Sequence, residues 1–351
     1  MRRHILIAIA ACFYLSGFVR LARWRTARAG RRLFILNYHL ASGGDLRRHL
    51  LYLRRHYRIM HIEAALAELY TQTKEPALRR DRRIPLVLTF DDGYRDNYTH
   101  AFALAKELEV PFSIYLIPGY VESGDYFWWR EGKRLSRRAR VQEAAIAGRT
   151  YHLAQEEERR ELTYAIDARA RHASSVAERE TFLTAVRETL DVPTEVTQDE
   201  LPVLPLNWEQ IREMDESGWV SFGAHTMHHP ILAYISDPAE VRCEVTECRQ
   251  VLEERLGHPV RSLAYPVGQR QHISEDVQQA VREAGYEWAL TTHYGFATPE
   301  SSPYLLPRIE ADVDQHWLVV AAEAAGLWGF FSRLRWLPIV RTYLRMRKGR
   351  S

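Results

Sequence analysis

Leu88-Thr89-Phe90-Asp91-Asp92-Gly93 closes the apolar run Pro85 to Phe90 with two adjacent carboxylates. Such a run reads as a buried strand, a setting in which an unpaired charge is costly, so acids at its exit call for a partner. Phe222-Gly223-Ala224-His225-Thr226-Met227-His228-His229-Pro230 supplies one, again just past an apolar strand-like run. Imidazoles at i and i+4 share one face of a helical turn, and with one carboxylate they make a two-His-one-Asp metal site. A metal site with an open position and a spare carboxylate beside it is suited to hydrolysis. The competing reading of two adjacent acids, a helix-start cap or turn, leaves the histidines unexplained.

Working outward, apolar strands alternate with helical patterns from Leu33 onward. The candidate strands are Leu33–Tyr38, Leu86–Phe90, Phe112–Ile117, Val220–Ala224, Ser262–Tyr265, Trp288–Thr291 and Leu305–Ile309. Helix-like stretches such as Asn97–Glu109, Pro238–Leu256 and Ser274–Ala284 lie between them. Alternation of this kind argues for a parallel sheet. With site residues at strand exits it predicts an α/β fold, a distorted (β/α)7 barrel whose chemistry sits at the carboxyl ends of the strands. Residues 126–205 break the rhythm: they open on Phe127-Trp128-Trp129 and continue as charged helical sequence such as Gln155–Ala173. So long a break predicts a helical insertion on the site-bearing rim, either shaping the cleft or decorating the surface.

The motifs T-F-D-D-G and H-T-x-x-H-P, followed by Arg261-Ser262-Leu263-Ala264-Tyr265-Pro266-Val267-Gly268 at the place of a third motif, resemble the polysaccharide deacetylase (NodB-homology) family of carbohydrate esterases. The resemblance spans about residues 33 to 310, interrupted by the insertion. It implies the same barrel and a metal-dependent hydrolase that removes N-acetyl groups from sugars of an envelope polysaccharide or its precursor. It also implies Asp92, His225 and His229 as metal ligands and Asp91 as general base. His228 shares the face at i+3, and the family spacing picks His229 instead. Nitrogen and oxygen ligands with an open position suit a divalent metal, zinc above all. The alternatives are a deformylase or deacetylase of a lipid-linked sugar, and a non-catalytic carbohydrate-binding relative.

Two departures from the family pattern stand out. Typical members end on a strand bearing a leucine-x-histidine motif, whose histidine is the general acid. Here the last strand reads Leu305-Leu306-Pro307-Arg308-Ile309-Glu310, whereas the first ends Asn37-Tyr38-His39. First and last strands are neighbours in a closed barrel, so His39 is expected as the acid, in the circularly permuted arrangement known in some members; its pKa range suits the task. His293 is the runner-up. The third motif's usual arginine, which orients the base, is replaced by Ala264. Arg308 could substitute, a structural salt bridge being the other reading. In the retained turn, Tyr265 and the backbone N–H of Val267 are expected at the oxyanion or substrate.

Net charge is only +3, and the basic residues crowd the termini instead of forming a stripe with interleaved aromatics, so nucleic acid is not expected as a partner. Residues 1–32 combine an apolar run, Ile5 to Val19, with Arg20, Arg23, Arg25, Arg28, Arg31 and Arg32. The run is short for a membrane span, and no small-residue cleavage site follows closely. An uncleaved membrane-associating segment is expected, with its basic flank favouring the cytoplasmic face. Residues 316–351, with Trp317, Trp328, Phe330, Phe331, Trp336 and Tyr343 among basic residues, read as a second interfacial segment or as a helix packed on the barrel. The expected partners are thus an N-acetylated glycan or lipid-linked sugar and a membrane surface of a bacterial-type envelope. Cys12, Cys243 and Cys248 form no disulfide or metal pattern and read as free thiols.

Overall fold

The computed structural model describes residues 2–71, 81 and 83–327. Its strands in chain order are β1 (Phe34–Tyr38), β2 (Tyr57–Ile59), β3 (Ile84–Phe90), β4 (Phe112–Leu116), β5 (Glu143–Ile146), β6 (Arg149–His152), β7 (Val220–Ala224), β8 (Ser262–Ala264), β9 (Trp288–Tyr294) and β10 (Leu306–Glu310). Seven of them pair in parallel in the order β1-β10-β9-β8-β7-β4-β3, and β3 pairs back to β1, which closes the barrel. The register runs from Phe34 opposite Leu86 to Tyr38 opposite Phe90, and on the other edge sets Leu36 opposite Ile309. The strand from the start of the chain therefore lies between the last barrel strand and the Asp91-bearing one. The short β2, which the hydrophobic pattern does not announce, pairs with the first half of β3.

Successive strand residues point to opposite faces. Ile35, Val87, Tyr115 and Leu290 join one buried cluster, while Phe34, Leu36, Leu86, Leu88 and Phe90 join the cluster under the surrounding helices. Burial on both faces explains why these strands read as continuous apolar runs rather than alternating ones. The helix Pro238–Leu256 shows how local sequence sets the boundaries. Asp237 caps its start by accepting from the Ala239 N–H, Pro238 occupies the first turn, and Gly257 ends it at φ 77°.

The insertion contains the helices Trp128–Arg138, Glu156–Arg171 and Val176–Thr189 around a core that includes Phe127, Leu135, Leu162, Ile166 and Leu183. It is not purely helical, contrary to expectation: β5 and β6 form an antiparallel hairpin. Its turn, Ala147-Gly148, holds both residues at positive φ, 51° and 80°. Such a turn usually carries Asn or Asp before the Gly, so an alanine there hides the hairpin from a sequence reading.

Two helices, Arg2–Leu15 and Phe18–Arg28, precede the barrel, separated by Gly17 at φ 81°. They dock on the helix Trp317–Ala324 and its end: Val19 is buried with Ala322 and Ala325, and the Tyr14 and Trp317 rings lie 5.1 Å apart. The Arg23 guanidinium donates to the Tyr52 hydroxyl at 3.0 Å. Ile5, Leu6, Leu15, Phe18, Leu21 and Trp24 remain exposed. Among the described residues no single helix is long and apolar enough to cross a membrane; His4–Leu15 and Phe18–Arg28, bent by 68°, pass together by length and composition. Trp328, Phe330, Phe331, Trp336 and Tyr343 lie outside the described residues.

Candidate active site and metal centre

Asp91 and Asp92 sit at the carboxyl end of β3, and His225 and His229 beyond the end of β7. The loop that carries the histidines is not a helical turn, which corrects the i, i+4 reading. Thr226 and His229 are held at φ 64° and 56°, incompatible with an α-helix. One tertiary and one local bond hold it: the His225 N–H donates to Leu116 O at 2.8 Å, and the His229 N–H to Thr226 Oγ1, within the loop, at 3.0 Å. Two insertion residues clamp the same loop from above. Trp128 Nε1 donates to His229 O at 2.9 Å, and the buried Arg179 donates to His228 O at 3.0 Å. The Phe-Trp-Trp opening of the insertion was the available sign of this role.

The loop brings its imidazoles to Asp92. Ligand atoms of Asp92, His225 and His229, all buried, lie within 4.8 Å of one another. Asp92 Oδ1 is 3.5 Å from His225 Nε2 and 3.7 Å from His229 Nε2. Ligand atoms about 2.0–2.1 Å from a tetrahedral zinc are about 3.3 Å apart, so the set fits a divalent ion with modest contraction. The His225 Nδ1–H donates to Ala264 O at 2.7 Å, which fixes the tautomer and presents Nε2 to the centre. Burial disfavours charge on His225, but Asp92 and Asp91 outweigh it and raise its pKa. Burial and then the charge of His225 hold His229 well below the usual range, favouring the neutral imidazole a metal requires. His228 turns away, its Nδ1 2.6 Å from Glu244, in keeping with its exclusion from the ligand set.

Asp91 faces Arg308. The guanidinium donates to both carboxylate oxygens, at 2.7 and 2.8 Å, and also to Asn37 Oδ1 and Thr291 O, so three residues fix its position. Burial works to raise the Asp91 carboxyl, but the charges of Arg308 and then His225 prevail and hold it at about 2.

These groups share one cavity of about 400 Å³, lined also by His39, Trp129, Arg130, Arg171, Tyr265, Val267 and Glu310. His39 is exposed on its rim, on a loop held by two residues that follow the aspartates: Asn97 Nδ2 donates to His39 O at 2.9 Å, and buried Asp96 accepts from the N–H groups of Ala41 and Ser42. His293, the runner-up acid, does not line this cavity; its neighbour Thr292 does, and strand alternation turns the two apart. Val267 adopts φ 59°, strained for a β-branched residue, and its N–H has no acceptor among the described residues. Tyr265 also lines the cavity but its polar groups are committed elsewhere: its N–H donates to Leu290 O and its hydroxyl to Tyr304 O. Among the described residues, Asp92, Thr226, His229 and Val267 account for four of the seven non-glycine residues at positive φ, so backbone strain concentrates at this site.

With this geometry in place, comparison with known proteins is informative. A family profile described as polysaccharide deacetylase matches residues 79–289, more than half of the chain. A Bacillus subtilis (strain 168) protein that carries the provisional name polysaccharide deacetylase YxkH is 22% identical over 296 residues, covering 82% of this chain and 74% of that one. Among solved structures, the deacetylase PplD of Streptococcus pyogenes in complex with acetate superposes with a TM-score of 0.54 at 16% identity, over 84% of this chain and 99% of that one. IcaB of Ammonifex degensii gives 0.54 at 20% identity, over 84% and 98%. At these identities the solved structures establish the fold, the closed parallel seven-stranded barrel. Both His39 and Arg308 lie outside the range the family profile matches.

Proposed function

The chain belongs to the polysaccharide deacetylase family, and from that premise we propose that it is a metal-dependent hydrolase removing N-acetyl groups from sugars of an envelope polysaccharide or its precursor. The observation that carries the reading is the convergence of Asp92, His225 and His229 in one cavity, with Asp91 beside them. A divalent metal held by those three residues, zinc for preference, would polarise the acetamide carbonyl and acidify water. Asp91 accepts the proton of the attacking water. Its ion pair keeps it ionised at neutral pH but makes it a weak base, so water acidified by a metal is the appropriate partner. As the carbon–nitrogen bond breaks, His39 protonates the departing amine, yielding acetate and the free amino sugar. The unengaged N–H of Val267 supports a backbone donor for the oxyanion. Arg308 orients Asp91 and replaces the family's third-motif arginine, a role supported by its two-point hold.

The test is acetate release from a panel of N-acetylated glycans, before and after metal is chelated and restored. Metal-dependent release supports the reading; release unaffected by chelation refutes metal dependence, and no release from any glycan refutes the deacetylase.

A membrane-associated form of the same activity, acting on lipid-linked sugar, is favoured by the exposed apolar side chains of the N-terminal helices and the arginines between them. The basic flank favours the cytoplasmic leaflet of a bacterial-type envelope. The full chain then sediments with anionic vesicles, and Leu15→Glu with Leu21→Glu releases it. An intact chain that never binds such vesicles removes this second reading.

A further inference from the structure

The insertion changes the charge of the cavity wall. Arg130, near the start of the helix Trp128–Arg138, and Arg171, the last residue of the helix Glu156–Arg171, both line the cavity that holds Asp91, Asp92 and His225. Several other arginines of the insertion are paired: Arg134 and Arg138 with Glu200, Arg187 with Glu131, Arg179 with Glu180. Arg130 and Arg171 differ. Among the described residues neither side chain makes an ion pair or hydrogen bond; Arg130 lies over the Tyr94 ring and Arg171 over the Trp128 ring, each guanidinium carbon 5.9 Å from the ring centroid.

The acids near them offset the pair only in part, and among the described residues none forms an ion pair with either arginine. Asp167 feels the charge of Arg171 but lies packed against Gly132. Of the carboxylates lining the cavity, Asp91 is gripped by Arg308 and Asp92 faces the two histidines, leaving Glu310 as the uncommitted one among the described residues. His272 adds no charge: burial, then the charges of Arg171 and His172, keep it below its usual range and so favour the neutral imidazole. Unpaired guanidinium groups over a cavity form a natural receptor for an anion, since the planar fork matches phosphate or carboxylate oxygens two at a time.

We propose that Arg130 and Arg171 bind an anionic group, a phosphate or a carboxylate, carried by the glycan next to the acetamido sugar that reacts at Asp91 and the triad. This rests on the deacetylase reading for the identity of the reacting sugar, and adds that the enzyme selects acidic or phosphorylated N-acetylated glycans over neutral ones.

The test measures binding by calorimetry to the full-length protein, with three probes: diacetylchitobiose, its 1-phosphate, and a disaccharide of N-acetylglucosamine and glucuronic acid. At least one anionic probe should bind about tenfold or more tightly than the neutral one, the scale of a charge-assisted contact, with the gain shrinking as salt rises. The probe that gains identifies phosphate or carboxylate as the group recognised. Arg130→Ala with Arg171→Ala should abolish the preference, bringing the anionic probes to the affinity the same variant shows for the neutral one, while the corresponding lysine pair keeps part of it. Equal affinities for all three probes, or a preference that survives in the alanine pair, overturn the proposal. Preferential anion binding without acetate release from any glycan would sustain the anion site and defeat the deacetylase reading. Acetate release from the anionic glycans that is indifferent to both arginines would do the reverse.

Discussion

Arg308, on β10, holds both carboxylate oxygens of Asp91, just past the end of β3, with β1 lying between the two strands. Both residues are almost wholly buried, so each charge depends on the other. Removing one partner of a buried pair leaves the other uncompensated, at about 3–5 kcal/mol. Arg308→Met should therefore lower stability on that scale. Arg308→Lys keeps a charge but not the fork, and should cost less stability while still reducing kcat with little change in KM. Thermal unfolding together with steady-state kinetics separates the two effects. A lysine variant with wild-type kcat would show that Arg308 is a structural partner only.

Asp91 and Asp92 are adjacent in sequence but are assigned different work, and substitution should separate them. Asp91→Asn keeps the metal and loses about 10²–10⁴-fold in turnover, the usual worth of acid–base catalysis. Asp92→Ala combined with His225→Ala loses the metal itself. Elemental analysis of the purified variants reads this directly; unchanged metal content in the double variant would disprove the ligand assignment.

How far these residues could be read in advance follows from where their constraints originate. Asp91, Asp92, His225 and His229 stand beside apolar strand runs, so charge at a strand exit betrayed them. His39 and Arg308 were legible as candidates because two expected residues were missing, but their meeting in one site needed barrel closure, which sets β1 between β10 and β3. The shape of the histidine loop was not legible. Its positive φ angles at Thr226 and His229 are imposed by partners far along the chain, Leu116, Trp128 and Arg179. Local periodicity carries no record of such contacts, and so favoured a helical turn. Arg130 and Arg171 were hidden for a related reason: in a helical stretch rich in solvated charges, nothing local marks the two that face the cavity.

His39 and His293 were rival acids, and only His39 lines the cavity. An amide needs its leaving nitrogen protonated, whereas an activated acetyl ester does not. His39→Ala should thus depress turnover on amides by about 10²-fold or more and spare activated esters. His293→Ala should leave both nearly unchanged. Equal losses on amide and ester in His39→Ala would indicate that the residue supports the loop rather than the chemistry.

Glu323, on the helix that receives the N-terminal segment, couples stability to pH. Its Oε2 has no hydrogen-bond partner, and burial, reinforced by the charge of Glu310, pushes its carboxyl up to about 8. Nearby Tyr38 and Asp312 offer no compensating positive charge. Because the folded state holds this proton more firmly than the unfolded chain, which releases it near the ordinary value of 4.5, the folded form binds more protons across the interval between them. Stability from this group is therefore fully present below the unfolded value and declines as pH rises through about 8. Melting temperature should fall between pH 6 and pH 9, and Glu323→Gln, neutral throughout, should flatten the decline. If the glutamine variant loses stability with pH as steeply as the wild type, the dependence originates in other groups.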